Sequence, residues 1–470
     1  MGLVKSRYNF TVTLSNNRLG IYNSKTGAIV CSEPGQGAKL QAALDNPEGY
    51  ADSNLLPSLI SQGFLVENDR DEIADIRSWY TAFVTDRRLV HLTMLPAEAC
   101  NFACPYCFQY NKRHLLMKPW VYEATLRLIE RIALENHNRG EQTYVKVSWF
   151  GGEPTLAPRQ IIEFQNRLRE MQDQLDIEVR GTLVTNGYLL TPQLLRLFLD
   201  ANIREFQVTL DGDKKTHDQL RKLKSGKPTF ETIYRNLRGI AELPESIQFK
   251  MAIRINFLRS TVSSVADLIE KLGEDFGHDS RFVIYCRPVY EFPTTRTDIQ
   301  DVAADICTLE EGLGLQNAFA FMVREKLRLS SLTRMFDPLP IPTPAWCPAE
   351  RQYSYIIGAD GLLFPCETLV GDANFAIGRL AETGIALYNN PMLEQWKKDI
   401  FEADDNPCLL CKLLPVCMGG CLRERVFSRR LPCFWREEDI LWALREYIES
   451  SRALLGPPHQ GEIPGPLTMR

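Results

Sequence analysis

Hydrophobic and polar positions change their spacing along this chain of 470 residues. Between residues 89 and 289, short apolar segments alternate with longer segments whose apolar residues recur at helical spacing. Strands are predicted at 89–94, 144–150, 178–184, 205–210, 249–256 and 282–285, with helices between them. Such alternation is typical of βαβ units around a parallel sheet. About six units in about 200 residues predict an α/β fold with a partial (β/α)6 barrel, whose site lies at the carboxyl ends of the strands.

The N-terminal segment has a different pattern. Residues 8–14 alternate between apolar and polar, which is the period of a half-buried strand. Two further short strands are predicted at 19–22 and 28–30, and helices near 39–44, 54–62 and 71–84. Three small strands followed by helices predict a winged-helix-like module. The predicted segments are thus this module at 1–86, the barrel at 87–290, a linker region at 291–340, a cysteine-rich domain at 341–436, and a C-terminal helix and tail at 437–470.

Composition excludes several classes of protein. The chain is 44% hydrophobic and 24% charged, as expected of a globular protein. Its net charge of −5 gives no basis for binding nucleic acid or an anionic membrane. There is no membrane-spanning apolar run and no signal peptide, so we expect a cytoplasmic protein. In a reducing compartment, 13 cysteines indicate metal binding or redox chemistry rather than disulfides.

The first cysteine group follows the first barrel strand. Cys100, Cys104 and Cys107 form the pattern C-x3-C-x2-C on one short loop. Three thiolates can bind three corners of a cubane cluster and leave one iron for a small molecule. Zinc would need a fourth ligand at a usual spacing, and His114 does not fit such a pattern. The loop therefore favours an iron–sulfur cluster over zinc.

Three more motifs occur at predicted strand ends. Gly-Gly-Glu-Pro follows the second strand, Thr-Asn-Gly the third, and Thr-Leu-Asp-Gly the fourth, with an His-Asp-x-x-Arg element behind it. Together with the cysteine loop, which has an aromatic residue before its last cysteine, these motifs resemble those of the radical S-adenosylmethionine (SAM) superfamily. The resemblance implies a SAM site with these residues: Gly151, Gly152, Glu153, Pro154, Asn186, Thr209, Asp211 and Arg221.

Each motif brings chemistry that suits a part of SAM. The two glycines expose backbone to a ligand, and Glu153 offers a carboxylate to the methionine ammonium. By resemblance, the Asn186 loop contacts the ribose. The guanidinium of Arg221 can bind the methionine carboxylate through two hydrogen bonds. The resemblance implies an iron–sulfur oxidoreductase that cleaves SAM reductively to a 5′-deoxyadenosyl radical.

The second cysteine group lies in the C-terminal part of the chain. Its C-x2-C and C-x3-C pairs bind zinc readily, so two zinc knuckles are one interpretation. Because these cysteines follow a radical SAM barrel in the sequence, their order resembles that of the SPASM extension of peptide-modifying enzymes. That extension carries two auxiliary [4Fe–4S] clusters. The resemblance assigns Cys347, Cys366 and Cys421 to the first auxiliary cluster, and Cys408, Cys411, Cys417 and Cys433 to the second. The first cluster then lacks a fourth cysteine, which leaves an open iron or a ligand from Cys286 or Cys307.

The resemblance also implies a function. We expect three [4Fe–4S] clusters, SAM, a reductant such as flavodoxin or ferredoxin, and a peptide or protein substrate. Glu367 occupies the position where sulfatase-maturing relatives have an aspartate base, and the alternative is a surface glutamate. The preferred function is maturation of a ribosomally synthesised peptide through hydrogen abstraction, for example to a thioether or carbon–carbon crosslink. The N-terminal module then resembles a leader-recognition domain, although a structural cap is equally compatible.

Two other functions stay open. An anaerobic sulfatase-maturing enzyme would use the same chemistry to form formylglycine from cysteine or serine. A non-catalytic electron-transfer protein, or a zinc-binding interaction protein, would use the cysteines without radical chemistry.

Overall fold

The computed structural model describes residues 2–51, 54–109, 112–290, 300–326, 339–398, 400–403, 405–427 and 433–454. Parts of the predicted linker and the whole tail after residue 454 lie outside these ranges. The chain forms two compact units. The first comprises Met1–Val84, Arg334–Cys347 and Lys398–Arg470, and the second comprises Thr85–Thr333 and Pro348–Lys397. No helix in the described ranges has the length and apolar character needed to cross a membrane.

The first unit begins with short strands and helices. Its strands are β1 (Leu3–Lys5), β2 (Asn9–Leu14), β3 (Arg18–Asn23), β4 (Ile29–Cys31) and β5 (Leu65–Glu67), and its first helices are α1 (Gly37–Asp45), α2 (Leu55–Ser61) and α3 (Glu72–Val84). The predicted strands β2, β3 and β4 form one antiparallel sheet. Phe10, Val12 and Leu14 are buried on one face, which explains the alternating pattern. The pair β1–β5 was not predicted, because three residues are too few to show a period.

The second unit is built on a parallel sheet. Its strands are β6 (Leu89–Ala97), β7 (Thr143–Gly151), β8 (Ile177–Thr185), β9 (Ile203–Leu210), β10 (Lys250–Phe257) and β11 (Phe282–Pro288). Between and after them lie α4 (Pro119–His137), α5 (Pro158–Leu175), α6 (Pro192–Asp200), α7 (Lys214–Leu220), α8 (Phe230–Ala241), α9 (Val262–Phe276), α10 (Gln300–Ala303) and α11 (Leu309–Lys326). All neighbouring pairs from β6 to β11 are parallel, so the predicted six-stranded α/β sheet is confirmed.

Side chains alternate across this sheet. On β7, Val145, Val147 and Trp149 are buried in the main hydrophobic core with residues of the surrounding helices. Lys146 and Ser148 point to the opposite, polar face. Thr93, Arg254 and Glu367, which are described below, lie on that polar face.

Four more strands extend the sheet beyond β6. They are β12 (Ser354–Ile357), β13 (Leu362–Phe364), β14 (Gly378–Leu380) and β15 (Ala386–Tyr388), followed by α12 (Met392–Lys397). β12 runs parallel to β6, with Ile356 beside Thr93, and β13 to β15 add antiparallel strands. Residues 348–397 therefore continue the barrel sheet, although the sequence suggested that they belong to the cysteine-rich region.

The remaining helices belong to the first unit. They are α13 (Leu414–Cys417), α14 (Leu422–Phe427) and α15 (Glu437–Leu454). The last helix has the predicted bounds. Its apolar residues, including Ile440 and Leu444, share a buried cluster with Phe10 and Tyr22. This packing joins the two ends of the described chain in one core.

Candidate functional site

The first cysteine loop leaves β6 and crosses the carboxyl ends of the strands. Hydrogen bonds to the segment after α7 help to fix its backbone: the Ala103 amide donates to the Lys222 carbonyl at 2.9 Å, and the Lys224 amide donates to the Asn101 carbonyl at 2.8 Å. Cys100 is buried, and Cys104 and Cys107 are half-buried. All three thiols are free, so none is used in a disulfide.

Positive charge surrounds these thiols. Lys112 interacts electrostatically with all three cysteines, and Arg221 interacts with Cys104. Burial raises the pKa of Cys104 to about 12, while Arg221 and Lys112 act in the opposite direction. A thiol must lose its proton to bind a metal, and ligation deprotonates it outright. The two cations offset part of the negative charge that three bound thiolates would bring.

The loop fits three corners of a cubane cluster. In the described parts of the chain, no group of three or more His, Cys, Asp or Glu side chains could hold a single metal ion. A [4Fe–4S] cluster does not require such convergence, since each thiolate binds a different iron. Three free thiols on one loop beside Lys112 and Arg221 suit that ligand set.

The two glycines at the end of β7, Gly151 and Gly152, pack against the start of the cysteine loop. The Gly152 amide donates to the Ala97 carbonyl at 3.0 Å. Gly151 has a φ of +125°, and a Cβ there would lie 2.4 Å from the Ala97 oxygen. A Cβ at Gly152 would lie 2.3 Å from the Ala99 oxygen. The glycines are therefore required for the close approach of two backbones, in addition to the predicted exposure of backbone to a ligand.

Glu153 joins the ends of β7 and β8. One carboxylate oxygen accepts hydrogen bonds from the Thr155 amide at 3.0 Å and the Thr185 hydroxyl at 2.6 Å, and the other accepts from the Asn186 amide at 2.7 Å. Burial raises its pKa, while these donors lower it. Pro154 is also buried and begins a short turn. The predicted contact of Glu153 with the methionine ammonium stays a prediction, because protein donors surround the carboxylate.

Asn186 connects this region to the cysteine loop. Its side-chain amide donates to the Asn101 side-chain oxygen at 2.7 Å. Asn101 directly follows Cys100, so the third motif contacts the first through one hydrogen bond. The predicted ribose-binding residue thus lies at the same end of the sheet as the cysteines.

Tyr106, Asp211 and Arg221 form a polar cluster beside the loop. The Tyr106 hydroxyl donates to the Asp211 carboxylate and accepts from Arg221 at 2.9 Å. Arg221 and Asp211 also form an ion pair at 4.0 Å. The second Asp211 oxygen and the Arg221 Nε are buried without a hydrogen-bond partner among the described residues. In the sequence, Tyr106 is only the aromatic residue of the cysteine pattern, and its hydrogen bonds depend on the three-dimensional structure.

His217 supports this cluster from behind. Its Nδ1 accepts a hydrogen bond from the Asp211 amide at 3.2 Å, and its Nε2 lies 3.1 Å from the Thr229 hydroxyl, which donates to the Arg221 carbonyl at 2.5 Å. Burial, together with Arg221, holds the pKa of His217 well below its usual value. A neutral imidazole therefore positions both Asp211 and Arg221. Thr209 is buried near the end of β9, in register with Arg254 of β10.

Glu367 belongs to the polar face of the second unit. Its carboxylate accepts a hydrogen bond from the Thr93 hydroxyl of β6 at 3.3 Å and interacts electrostatically with Arg254 of β10. Burial raises its pKa. The glutamate is half-buried, unlike a surface side chain.

The second cysteine group is divided between the units. In the first unit, Cys408 and Cys417 each interact electrostatically with both Cys411 and Cys433, so four predicted ligands of one cluster lie near one another. Burial raises the pKa of Cys417 to about 12.

The other predicted auxiliary ligands and the two isolated cysteines are placed as follows. Cys347 and Cys421 lie in the first unit, and Cys366 follows β13 in the second. Cys286 and Cys307 are buried in the main core of the second unit.

Comparisons with known proteins agree with this geometry. Residues 94–272 match the Radical SAM superfamily. The chain is 25% identical over 354 residues to a cysteine-type anaerobic sulfatase-maturating enzyme of Clostridium perfringens, covering 71% of this chain and 89% of the relative. It is 28% identical over 163 residues to a serine-type anaerobic sulfatase-maturating enzyme of Bacteroides thetaiotaomicron, covering 33% of this chain and 38% of the relative.

A solved structure shares the fold. The structure of native anSMEcpe with bound AdoMet and the Cp18Cys peptide matches with a TM-score of 0.51 and 18% identity, covering 78% of this chain and 97% of that one. At that identity the likeness concerns the fold. The matched domain and the sequence relatives lead to one conclusion: the chain is an enzyme that contains a radical SAM domain over residues 94–272 and is similar to the anaerobic sulfatase-maturating enzymes.

Proposed function

We propose that this radical SAM enzyme modifies a ribosomally synthesised peptide by hydrogen abstraction. The observation that carries the proposal is the convergence of the cysteine loop, the Gly151–Gly152 turn and the Asp211–Arg221 cluster at one end of a parallel sheet. A bound [4Fe–4S] cluster with SAM supplies a 5′-deoxyadenosyl radical when an electron arrives from a reductant such as flavodoxin or ferredoxin. Peptide as the substrate class is supported by the related structure, which contains the Cp18Cys peptide.

The chain's own residues bind and orient the reactants. We assign Cys100, Cys104 and Cys107 to three irons of the cluster. Arg221 is assigned to the methionine carboxylate, since a guanidinium can bind a carboxylate through two hydrogen bonds. Asn186 is assigned to the ribose. The hydrogen bonds of Tyr106 to Asp211 and Arg221 hold these groups in place.

Glu367 is proposed as the base that accepts a proton from the substrate after hydrogen abstraction. Its half-buried carboxylate lies on the polar face between β6 and β10. A pKa raised by burial suits a group that must take up a proton near neutral pH. The interaction with Arg254 opposes this rise in pKa and so favours the ionised form that a base requires.

Additional clusters are part of the proposal. The neighbouring thiols of Cys408, Cys411, Cys417 and Cys433 support one auxiliary [4Fe–4S] cluster of a SPASM domain. The assignment of Cys347, Cys366 and Cys421 to another auxiliary cluster rests on sequence resemblance. The antiparallel sheet β2–β3–β4 is proposed as a winged-helix-like module that recognises a leader peptide.

Sulfatase maturation is the second candidate function. It is favoured by the similarity to the cysteine-type enzyme of Clostridium perfringens, which covers 89% of that relative. The two functions differ in their product. Conversion of a cysteine to formylglycine in a synthetic sulfatase peptide, detected by mass spectrometry, would favour this candidate over peptide crosslinking.

The proposed function is tested by anaerobic reconstitution. Iron and sulfide are counted, and dithionite-driven formation of 5′-deoxyadenosine is measured. About twelve irons are expected for three clusters, and about four should be lost when Cys100, Cys104 and Cys107 are all replaced by Ala. The triple variant should form no 5′-deoxyadenosine.

Cys31→Ala is the matched control, because Cys31 lies outside both cysteine groups and should keep the full iron content. A fully loaded wild-type protein that does not cleave SAM would contradict the proposed function.

A further inference from the structure

Two arginines lie side by side on the polar face of the sheet. Arg254 belongs to β10 and Arg287 to β11. Ile253 and Cys286, their neighbours in sequence, are buried in the core against the helices. Because side chains alternate along a strand, both guanidinium groups extend from the opposite face. Arg254 is in register with Tyr285, two residues before Arg287, so the arginines are diagonal neighbours.

This face is the concave side of a curved sheet. Glu367 accepts a hydrogen bond from Thr93 of β6 and also interacts with Arg254 of β10. Three strands, β7 to β9, separate β6 from β10 in the sheet. One carboxylate can reach both strands only if the sheet curves around it. The arginines therefore line the same interior as the proposed base, near the carboxyl ends of the strands.

The two arginines have different partners. Arg254 donates to the Asn256 side-chain oxygen at 2.8 Å and interacts with both Asp211 and Glu367. Its charge therefore has two acidic neighbours.

No acidic residue is among the main electrostatic neighbours of Arg287 within the described ranges. Its guanidinium lies 5.7 Å from the centre of the Tyr285 ring, and its other electrostatic neighbours are Tyr290, Arg254 and Cys286. Burial lowers its pKa, and the adjacent Arg254 adds to this effect. A half-buried cation beside a second cation is unfavourable unless an anion compensates it.

An aromatic ring and a free guanidinium fork suit one type of ligand. Arginine binds a carboxylate through two parallel hydrogen bonds, and stacking on Tyr285 restricts the orientation of the fork. We propose that Arg287, assisted by Arg254, binds an acidic side chain of the peptide substrate and so selects peptides with Asp or Glu near the reacting residue.

This inference rests on the proposed peptide substrate and names its chemical class. The carboxylate of SAM is another source of the same chemistry, and the proposal assigns it to Arg221 instead. A test must therefore separate binding of the peptide from binding of SAM.

The test uses the reconstituted full-length protein with SAM and two fluorescein-labelled peptide pools. The pools share random positions around a central Cys or Ser, and differ because one contains Asp and Glu where the other contains Asn and Gln. Binding is followed by fluorescence anisotropy without reductant. We expect the acidic pool to bind about tenfold more tightly than the amide pool. Arg287→Gln should reduce this preference to about twofold or less, and Arg287→Lys should retain part of it.

Arg204→Gln is the matched control. Arg204 is exposed on β9 and donates to the Gln248 carbonyl, so its loss should leave the preference unchanged. Iron content is measured for each variant to confirm that it is folded and loaded. SAM affinity is measured by a separate titration of the same samples.

Several outcomes would overturn the inference. Equal affinity for the two pools, or no binding of either at millimolar concentration, would exclude an acidic preference. A loss of SAM affinity in Arg287→Gln would assign the arginine to SAM. Because peptide binding is measured without turnover, failure of the wild-type protein to cleave SAM would contradict the proposed function separately.

Discussion

The Glu153 carboxylate lies 2.6 Å from the Thr185 hydroxyl and thereby connects the loop after β7 to the end of β8. The same carboxylate accepts the Asn186 amide hydrogen at 2.7 Å. Two motifs that are 32 residues apart in sequence are thus held by one buried acid. The surrounding donors lower the pKa of Glu153 and so favour its ionised form, whereas burial raises that pKa.

Glu153→Gln should destabilise this end of the sheet. In this variant an amide nitrogen takes the place of one carboxylate oxygen, so a hydrogen-bond donor faces another donor. An unsatisfied buried polar group of this kind lowers the free energy of unfolding by about 1–3 kcal/mol. We expect a lower melting temperature in differential scanning calorimetry and weaker SAM binding. Glu163→Gln on α5 is the control, since Glu163 is exposed. Equal melting temperatures for the two variants would contradict the structural role of Glu153.

Gly152→Ala should disturb the cysteine loop. The new Cβ would lie 2.3 Å from the Ala99 oxygen, so one of the two backbones must move. We expect loss of iron from the first site, by about four atoms per chain, and loss of 5′-deoxyadenosine formation. Gly314→Ala on α11 is the control, because no atom lies within 4 Å of its new Cβ. This variant should retain its iron and its formation of 5′-deoxyadenosine. Full iron content in Gly152→Ala would show that the loop tolerates the methyl group.

His217 should make stability depend on pH. Its pKa in the folded protein lies well below the value of about 6.5 expected for an unfolded chain. The unfolded state therefore binds more protons below that value, so the stabilisation is complete above about pH 6.5 and decreases as pH falls. At one pH unit below about 6.5, the stabilisation that His217 contributes is smaller by up to about 1.4 kcal/mol.

The measurement compares melting temperatures from about pH 7.5 to about pH 5.5. His217→Gln retains an acceptor for the Asp211 amide but cannot be protonated in this range, so its curve should be flatter than that of the wild type. His91, whose pKa burial lowers to about 3, contributes equally to both proteins. His114→Gln, at an exposed histidine, should keep the wild-type slope. Parallel curves for wild type and His217→Gln would disprove this role.

Glu367→Gln should slow product formation. A positioned base contributes about 10²–10⁴-fold to a rate, and the amide cannot accept the proton. We expect unchanged iron content and a slower rate of peptide modification by mass spectrometry. Glu382→Gln is the control because Glu382 is exposed in the same unit. A wild-type rate in Glu367→Gln would remove this residue from the mechanism.

The parallel strands were predictable because each has a buried face with a regular period. Val145, Val147 and Trp149 show this pattern without any knowledge of their partners. β12 was not predictable, because the four residues Ser354–Ile357 contain no sign that their partner is β6. Local pattern predicts an element, whereas pairing depends on contacts distant in sequence.

The site was predictable to a similar extent. The motif residues were found because strand ends of a parallel sheet lie together. The donors around Glu153 and the contact of Tyr106 with Asp211 were not found, because they depend on side-chain directions in loops. Arg254 and Arg287 were missed because two isolated arginines form no sequence motif.

The parallel pairing of β12 with β6 limits how this protein can be divided or recombined. A fragment that ends at residue 290 would expose the edge of the strand that leads directly to Cys100. Exposed strand edges recruit other chains, so we expect such a fragment to aggregate. An exchange of C-terminal regions between related enzymes would have to retain residues 354–388, which belong to the sheet of the radical domain. Only the cysteines from Cys408 onward follow this strand group, so only they could be exchanged without removing a strand of the sheet.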